Sequence, residues 1–427
     1  MLDAAQVLLA RYRPPFASAA KGPVSGHYDV AVIGAGFTGL GAARKLAMEG
    51  RSVIVFEAET VGYGASGRNG GHLNNGIAHS YLAAEAEFGP DKALAIYRAF
   101  DDGIATIERI IAEEGIDCAF RRSGKLKLAS KPQHYESLAR NFEVLHRAAD
   151  PDTAMLAKAD LLNEVRSDAF HGGMLQTKSA MMHVGRFVCG LGEAAVRRGA
   201  VIHEQAQVTS CEPSGKGWAL ATPNGIATAG SVLLATGAYT TKAFPYFRRR
   251  IVPVGSFVIV TRPLSEDEVA ATVPGDRTYV NSLNVGNYFR LTPDRRLVWG
   301  GRARFSAFSD QRSDAKSGAI LRQSLLKIFP QLGDIAIDYC WGGLVDMTQD
   351  RFPRAGKAEG LYFSMGYSGH GAQIATHMGE IMAGLMTGQI DRNPWADLPW
   401  AAVPGHFGTP WFLPLVGLYY KSLDLIR

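Results

Sequence analysis

Residues 28–57 read YDVAVIGAGFTGLGAARKLAMEGRSVIVFE. The first six, YDVAVI, form a short apolar run of the kind that becomes a parallel strand buried on both faces. Gly34-Ala35-Gly36-Phe37-Thr38-Gly39 follows without a gap and gives a G-x-G-x-x-G turn. Leu40, Ala43, Leu46 and Ala47 then recur at helical spacing as far as Gly50. RSVIVF at 51–56 is a second buried strand, closed by Glu57. Each glycine has a physical task. Gly34 permits the tight turn, Gly36 lets the backbone approach a pyrophosphate, and Gly39 lets the helix pack close to the strand. The helix N-terminus, at Phe37 and Thr38, offers free N–H groups and a positive dipole end to phosphate. Glu57 is spaced to accept hydrogen bonds from ribose hydroxyls. Strand, turn, helix, strand and acid in this order predict a Rossmann-type dinucleotide unit, and with it an α/β fold.

The next stretch, AETVGYGASGRNGGHLNNG at 58–76, has little to bury. A loop of this length inside a compact domain is usually functional. Its glycines would let backbone amides lie against an extended cofactor, which favours FAD over NAD. Ala58, Gly64, Ala65, Ser66, Arg68, Asn69, Gly70, Gly71 and His72 are therefore cofactor candidates.

Composition narrows the class. The chain has 427 residues, a hydrophobic share of 47% and a charged share of 20%, ordinary values for a globular protein. The net charge of +5 comes without a long basic run. Arg248-Arg249-Arg250 reads as a solvated turn, so no nucleic-acid partner is expected. Four scattered cysteines form no C-x-x-C, which argues against zinc and against a disulfide framework. No metal is expected, and a cytoplasmic setting is the default. No apolar stretch is long enough to span a membrane. The aromatic tail at 411–420 reads as a packed terminal helix.

At this point the sequence resembles the glycine/D-amino-acid oxidase family of flavoproteins. The matching pieces are GAGFTG at 34–39, GYGASGRNGG at 62–71, LATGAY at 234–239, YFRLTPD at 288–294, WGG at 341–343 and GYSGHG at 366–371. Within the family the chain looks most like enzymes that oxidise γ-glutamylated diamines, in polyamine catabolism. The resemblance implies a discontinuous FAD domain (1–84, 151–245 and 339–427) and a substrate domain with an antiparallel sheet (85–150 and 246–338). It implies non-covalent FAD held also by Val208, Thr236 and Gly237, with Gly369, His370 and Gly371 against the flavin ring. His72, Tyr288, Trp341 and Tyr367 are candidates for the substrate wall. Arg302, with Arg304 on the same face of its strand and Arg290 on the neighbouring one, is a candidate clamp for an anionic group. Some relatives carry a lysine near the strand at 297–299 that promotes reaction with oxygen. Here Val298 stands there, so oxygen and another acceptor both stay open. Some relatives bind flavin through a cysteine near this region, and Cys340 falls about two residues out of register. The implied activity is oxidation of an amine to an imine, with hydrolysis to an aldehyde. An α-amino-acid oxidase acting on glycine, sarcosine or a D-amino acid is the alternative. A flavin reductase would need a second nucleotide fingerprint, and a non-catalytic flavoprotein would bind FAD without being reduced by any amine. The sequence leaves the oligomeric state open.

Overall fold

The computed structural model describes residues 15–305, 315–391 and 393–426. His27–Ile33 lies at the centre of the first sheet, parallel to Val53–Phe56 on one side and to Gly225–Leu234 on the other. Val201–His203 extends the sheet beyond Val53–Phe56, and the antiparallel strands Ser210–Ser214 and Gly217–Thr222 extend it beyond Gly225–Leu234. Leu361–Met365 also joins Gly225–Leu234 and carries Arg354–Ala358. The central strands are apolar on both sides because both faces are covered. Val32 and Val55 pack with the helices Phe37–Met48, Val184–Arg197, Pro90–Glu114 and Gly371–Thr387. Ala31, Ile33, Ile54 and Phe56 pack on the other face with Phe244, Phe247 and Ile251.

The glycines of the first turn act as the spacing requires. Gly34 has φ +106°, and a Cβ at Gly39 would lie 1.9 Å from the Gly34 carbonyl oxygen. Gly379 plays the same part on the Gly371–Thr387 helix, where a Cβ would lie 2.3 Å from the Thr38 carbonyl oxygen. The two helices thus touch backbone to backbone.

The second sheet has eight strands, in the order Ile337–Met347, Val252–Pro263, Arg296–Arg304, Tyr288–Leu291, Thr278–Asn281, Lys125–Leu128, Gly172–Gln176 and Ala154–Ala157. Apart from the parallel pair Thr278–Asn281 and Lys125–Leu128, neighbours are antiparallel. One face packs under the helix Ala315–Ile328 through Phe257, Ile259, Tyr279, Phe289 and Trp299. The other face sends Val258, Val260, Val298 and Trp341 into the core of the nucleotide-binding helices.

Two expectations change here. Ala154–Ala157 and Gly172–Gln176 belong to the second sheet, so the chain returns to the nucleotide sheet after them and not at 151. The tail is a helix, Leu413–Ile426, but Leu415, Leu418 and Tyr419 on it are exposed, because only Leu413 is buried in the small cluster beneath. Among the described residues no helix is long and apolar enough to cross a membrane, and no cluster could hold a metal ion.

Candidate functional site

A cavity of about 610 Å³ opens where the first turn, the second glycine loop and the free face of the second sheet meet. Gly34, Gly36, Phe37, Thr38, Glu57 and Ala58 line its nucleotide end, with Val208, Thr236 and Gly237 beside them. Glu57 is held by two backbone donors: Ala35 N–H at 2.9 Å and Glu59 N–H at 3.0 Å. Burial nevertheless raises its pKa, since the desolvation outweighs those bonds.

The second glycine loop is bound to the first turn. Phe37 N–H donates to Ser66 Oγ at 2.9 Å, and a Cβ on Gly36 would sit 2.8 Å from that oxygen. Arg68 donates to the Tyr63 carbonyl at 2.6 Å and to the Gly342 carbonyl at 3.1 Å, tying the loop to the second sheet. Asn69 bonds the carbonyls of Ala65 and Ser66 and accepts from Gly71 N–H. Gly64, Ala65, Ser66, Arg68, Asn69 and Gly70 face the cavity. Gly39 and Gly71 do not; a Cβ on Gly71 would lie 2.2 Å from the Met182 carbonyl, so its role is close packing.

At the other end stand Gly369, His370 and Gly371, at the N-terminus of the Gly371–Thr387 helix. The turn before them is braced by Asp346, absent from the sequence reading. Its carboxylate accepts from Gly366 N–H at 2.6 Å, and its own carbonyl accepts from Ser368 N–H. Burial pushes Asp346 up to about 6. Tyr367 lines the cavity, and its hydroxyl shares hydrogen bonds with Thr38 Oγ1 at 2.6 Å and Ser364 Oγ at 2.8 Å. It therefore locks this turn to the first one. Gln373, also missed, is 2% exposed on the cavity wall, and its Nε2 donates to nothing among the described residues.

His72 and Tyr288 meet edge to face, with ring centroids 5.0 Å apart, and both line the cavity. Burial, with Arg290 nearby, pushes the His72 imidazole down to about 3, so it is neutral at ordinary pH. Backbone groups of Phe289 and Gly70 lie close enough to its ring nitrogens to oppose that shift in part.

Two candidates lie elsewhere. Trp341 is 2% exposed, is not on the cavity wall, and donates its Nε1–H to the Arg68 carbonyl at 2.7 Å; it supports the loop from behind. Arg290 is 7% exposed, and its guanidinium is spent on the carbonyls of Gly70, Met182 and Leu291. It is a strut between loop and sheet, not part of a clamp. The side chains of Arg302 and Arg304 lie outside the described residues, though their backbone pairs with Phe257 and Gly255. A bulge sits between Phe257 and Val258, next to Gly301 at φ +143°. Val298 is buried in the core, paired across the sheet with Arg290. Cys340 packs on the helix-covered face, its Sγ facing Gly318 and turned away from the cavity.

The model of the family described as FAD dependent oxidoreductase matches residues 29–385. The chain belongs to this family. A probable oxidoreductase, OrdL, of Haemophilus influenzae is 33% identical over 411 residues, covering 94% of this chain and 93% of the relative. The gamma-glutamylputrescine oxidoreductase of Escherichia coli is 32% identical over 380 residues, covering 88% of each chain. The crystal structure of glycine oxidase from Geobacillus kaustophilus shares the fold, with a TM-score of 0.74, 22% identity, and coverage of 88% of this chain and 99% of that one. The residues of the oxidoreductase fit FAD: the Gly36–Ser66 contact leaves no room for a side chain, the Glu57 carboxylate lines the cavity, and so does the N-terminus of the Gly371–Thr387 helix.

Proposed function

We propose that this oxidoreductase converts an amine to an imine, which water hydrolyses to an aldehyde, and that the substrate bears an anionic group remote from its nitrogen. Bound FAD supplies the two-electron acceptor. The carbon beside nitrogen loses a hydride and the nitrogen loses a proton, so the neutral amine is the reacting form. His72 and Tyr288 offer that amine a neutral, largely apolar wall with Val258 and Val280 beside them. Such a wall disfavours the ammonium form and so selects the neutral amine. His370, pushed down to about 4 by burial, is neutral as well. His72 lies against the amine's place without becoming charged.

The observation that carries the reading is the engagement of Arg290. An α-amino acid needs a cation beside the reacting carbon to hold its carboxylate, and among the described residues Arg290 is occupied by three carbonyls. Arg68, on the cavity wall, is bound to two more. The similarity to gamma-glutamylputrescine oxidoreductase points the same way. The test is anaerobic titration of the FAD-loaded enzyme with a panel of amines. γ-Glutamylputrescine should bleach the flavin at concentrations well below those needed for glycine or sarcosine. The reverse order would make the enzyme an α-amino-acid oxidase. No bleaching by any amine would make it a non-catalytic flavoprotein.

A further inference from the structure

We propose that Lys127 receives the distal anionic group of the substrate. The assignment rests on the amine reading above and adds to it the residue and the reach.

The placement follows from strand register. Lys127 pairs with Val280 on one side and Met174 on the other, and Val280 pairs with Tyr288. Residues directly opposite on neighbouring strands point to the same face. Val280 and Tyr288 line the cavity, and Lys127, one strand beyond the residues of its wall, stands on the same face of the sheet. Its neighbours Leu126 and Leu128 point the other way, into the core under the Ala315–Ile328 helix. Two steps of about 4.8 Å separate the Tyr288 strand from the Lys127 strand, so the two positions are about 10 Å apart.

The charge environment separates Lys127 from the lysine beside it. Lys125 is on the same face, but its ammonium donates to the Asn75 carbonyl at 2.7 Å, and Asp101 and Asp150 stand close enough to favour its charge. Lys127 has no ion pair or hydrogen bond for its ammonium among the described residues. Burial alone acts on it, lowering its pKa, and no carboxylate opposes that. A partly buried ammonium without a counter-ion bears a desolvation cost that an anionic ligand would offset. Both lysines add, after burial, to the lowering of the His370 pKa.

A lysine whose strand position lies about 10 Å from that of Tyr288 suits one class of substrate. The carboxylate of an α-amino acid is one carbon from the reacting carbon and cannot reach it while the amine lies against Tyr288. A linear amine with a carboxylate at its far end can.

The test compares two substrates. γ-Glutamylputrescine carries the distal carboxylate; N-butanoylputrescine keeps the amide and the carbon chain but lacks the carboxylate and its neighbouring amino group. Anaerobic flavin reduction by each is followed in the wild type and in Lys127→Met, Lys127→Gln and Lys127→Arg. Two neutral variants of different shape are used, so a folding defect in one leaves the other to decide. The expected result is a ten- to hundredfold loss of preference for γ-glutamylputrescine in the neutral variants. That loss should sit in the apparent dissociation constant rather than in the limiting rate, and Lys127→Arg should keep most of the preference. Intact preference in both neutral variants overturns the Lys127 assignment alone. A wild type indifferent to the carboxylate overturns the distal-anion reading and the assignment together.

Discussion

Glu57 accepts from Ala35 N–H and Glu59 N–H, so it shapes the turn, and it lines the cavity, where we propose that it binds the ribose of FAD. Glu57→Ala should weaken FAD binding by about 1.5–3 kcal/mol, roughly ten- to a hundredfold, and FAD-free protein should accumulate. An unchanged dissociation constant, measured by flavin fluorescence, would remove the assignment. His72 supports a pH prediction. Its folded pKa is about 3, below the ordinary 6.5, so the unfolded chain takes up the proton first as pH falls. The stability held by its neutral form is complete above pH 6.5 and is lost as pH falls towards 3. In the assay the same neutrality means that flavin reduction should follow the titration of the substrate amine. An inflection between about pH 5 and 8 that His72→Gln abolishes would contradict this. Cys340 faces away from the cavity. Acid precipitation should therefore leave the yellow colour in the supernatant, and colour held in the pellet would show a covalent link. Buried Val298 puts no cation at its own position, so reoxidation by air should be slower than by an artificial acceptor. Faster reoxidation by air would show that another group supplies the charge.

Elements built on contiguous signals were legible in the sequence. The first strand, turn and helix, the Pro90–Glu114 helix and the Gly371–Thr387 helix follow directly from apolar spacing and glycine punctuation. The Pro132–Ala148 helix was not foreseen, because only Leu138, Asn141 and Leu145 on it are buried and its apolar stripe is thin. Gly172–Gln176 was missed because GGMLQ shows little of a strand pattern. Arg290 shows a different limit: nothing local marks it as the partner of carbonyls far away in sequence. Lys127 and Asp346 were passed over for the same reason: each acquires its meaning from a strand or turn far along the chain. At this scale the helix contact makes a sharp prediction. Gly39→Ala puts a methyl 1.9 Å from the Gly34 oxygen, so the helix must shift away from the strand. The cost should be about 1–3 kcal/mol or more, with FAD lost on purification. A Gly39→Ala protein with normal melting temperature and full flavin content would contradict the packing described.

The two sheets share one apolar core: Val258, Val298 and Trp341 of the second sheet are in the same cluster as Val32, Leu40 and Met378 of the nucleotide-binding unit. The FAD-loaded enzyme should therefore unfold in one cooperative transition, and added FAD should raise its midpoint by mass action, by about 2.7 kcal/mol at a hundredfold excess over the dissociation constant. Two calorimetric transitions, with only one responding to FAD, would mean that the sheets fold independently. In the proposed reaction bound FAD would accept a hydride from an amine held in a neutral pocket beside it. The most direct measurement is an anaerobic single turnover with excess enzyme, in which bleached flavin and released aldehyde are counted together. One aldehyde per flavin bleached, formed from γ-glutamylputrescine, is the predicted result; bleaching without aldehyde, or no bleaching at all, would contradict the account.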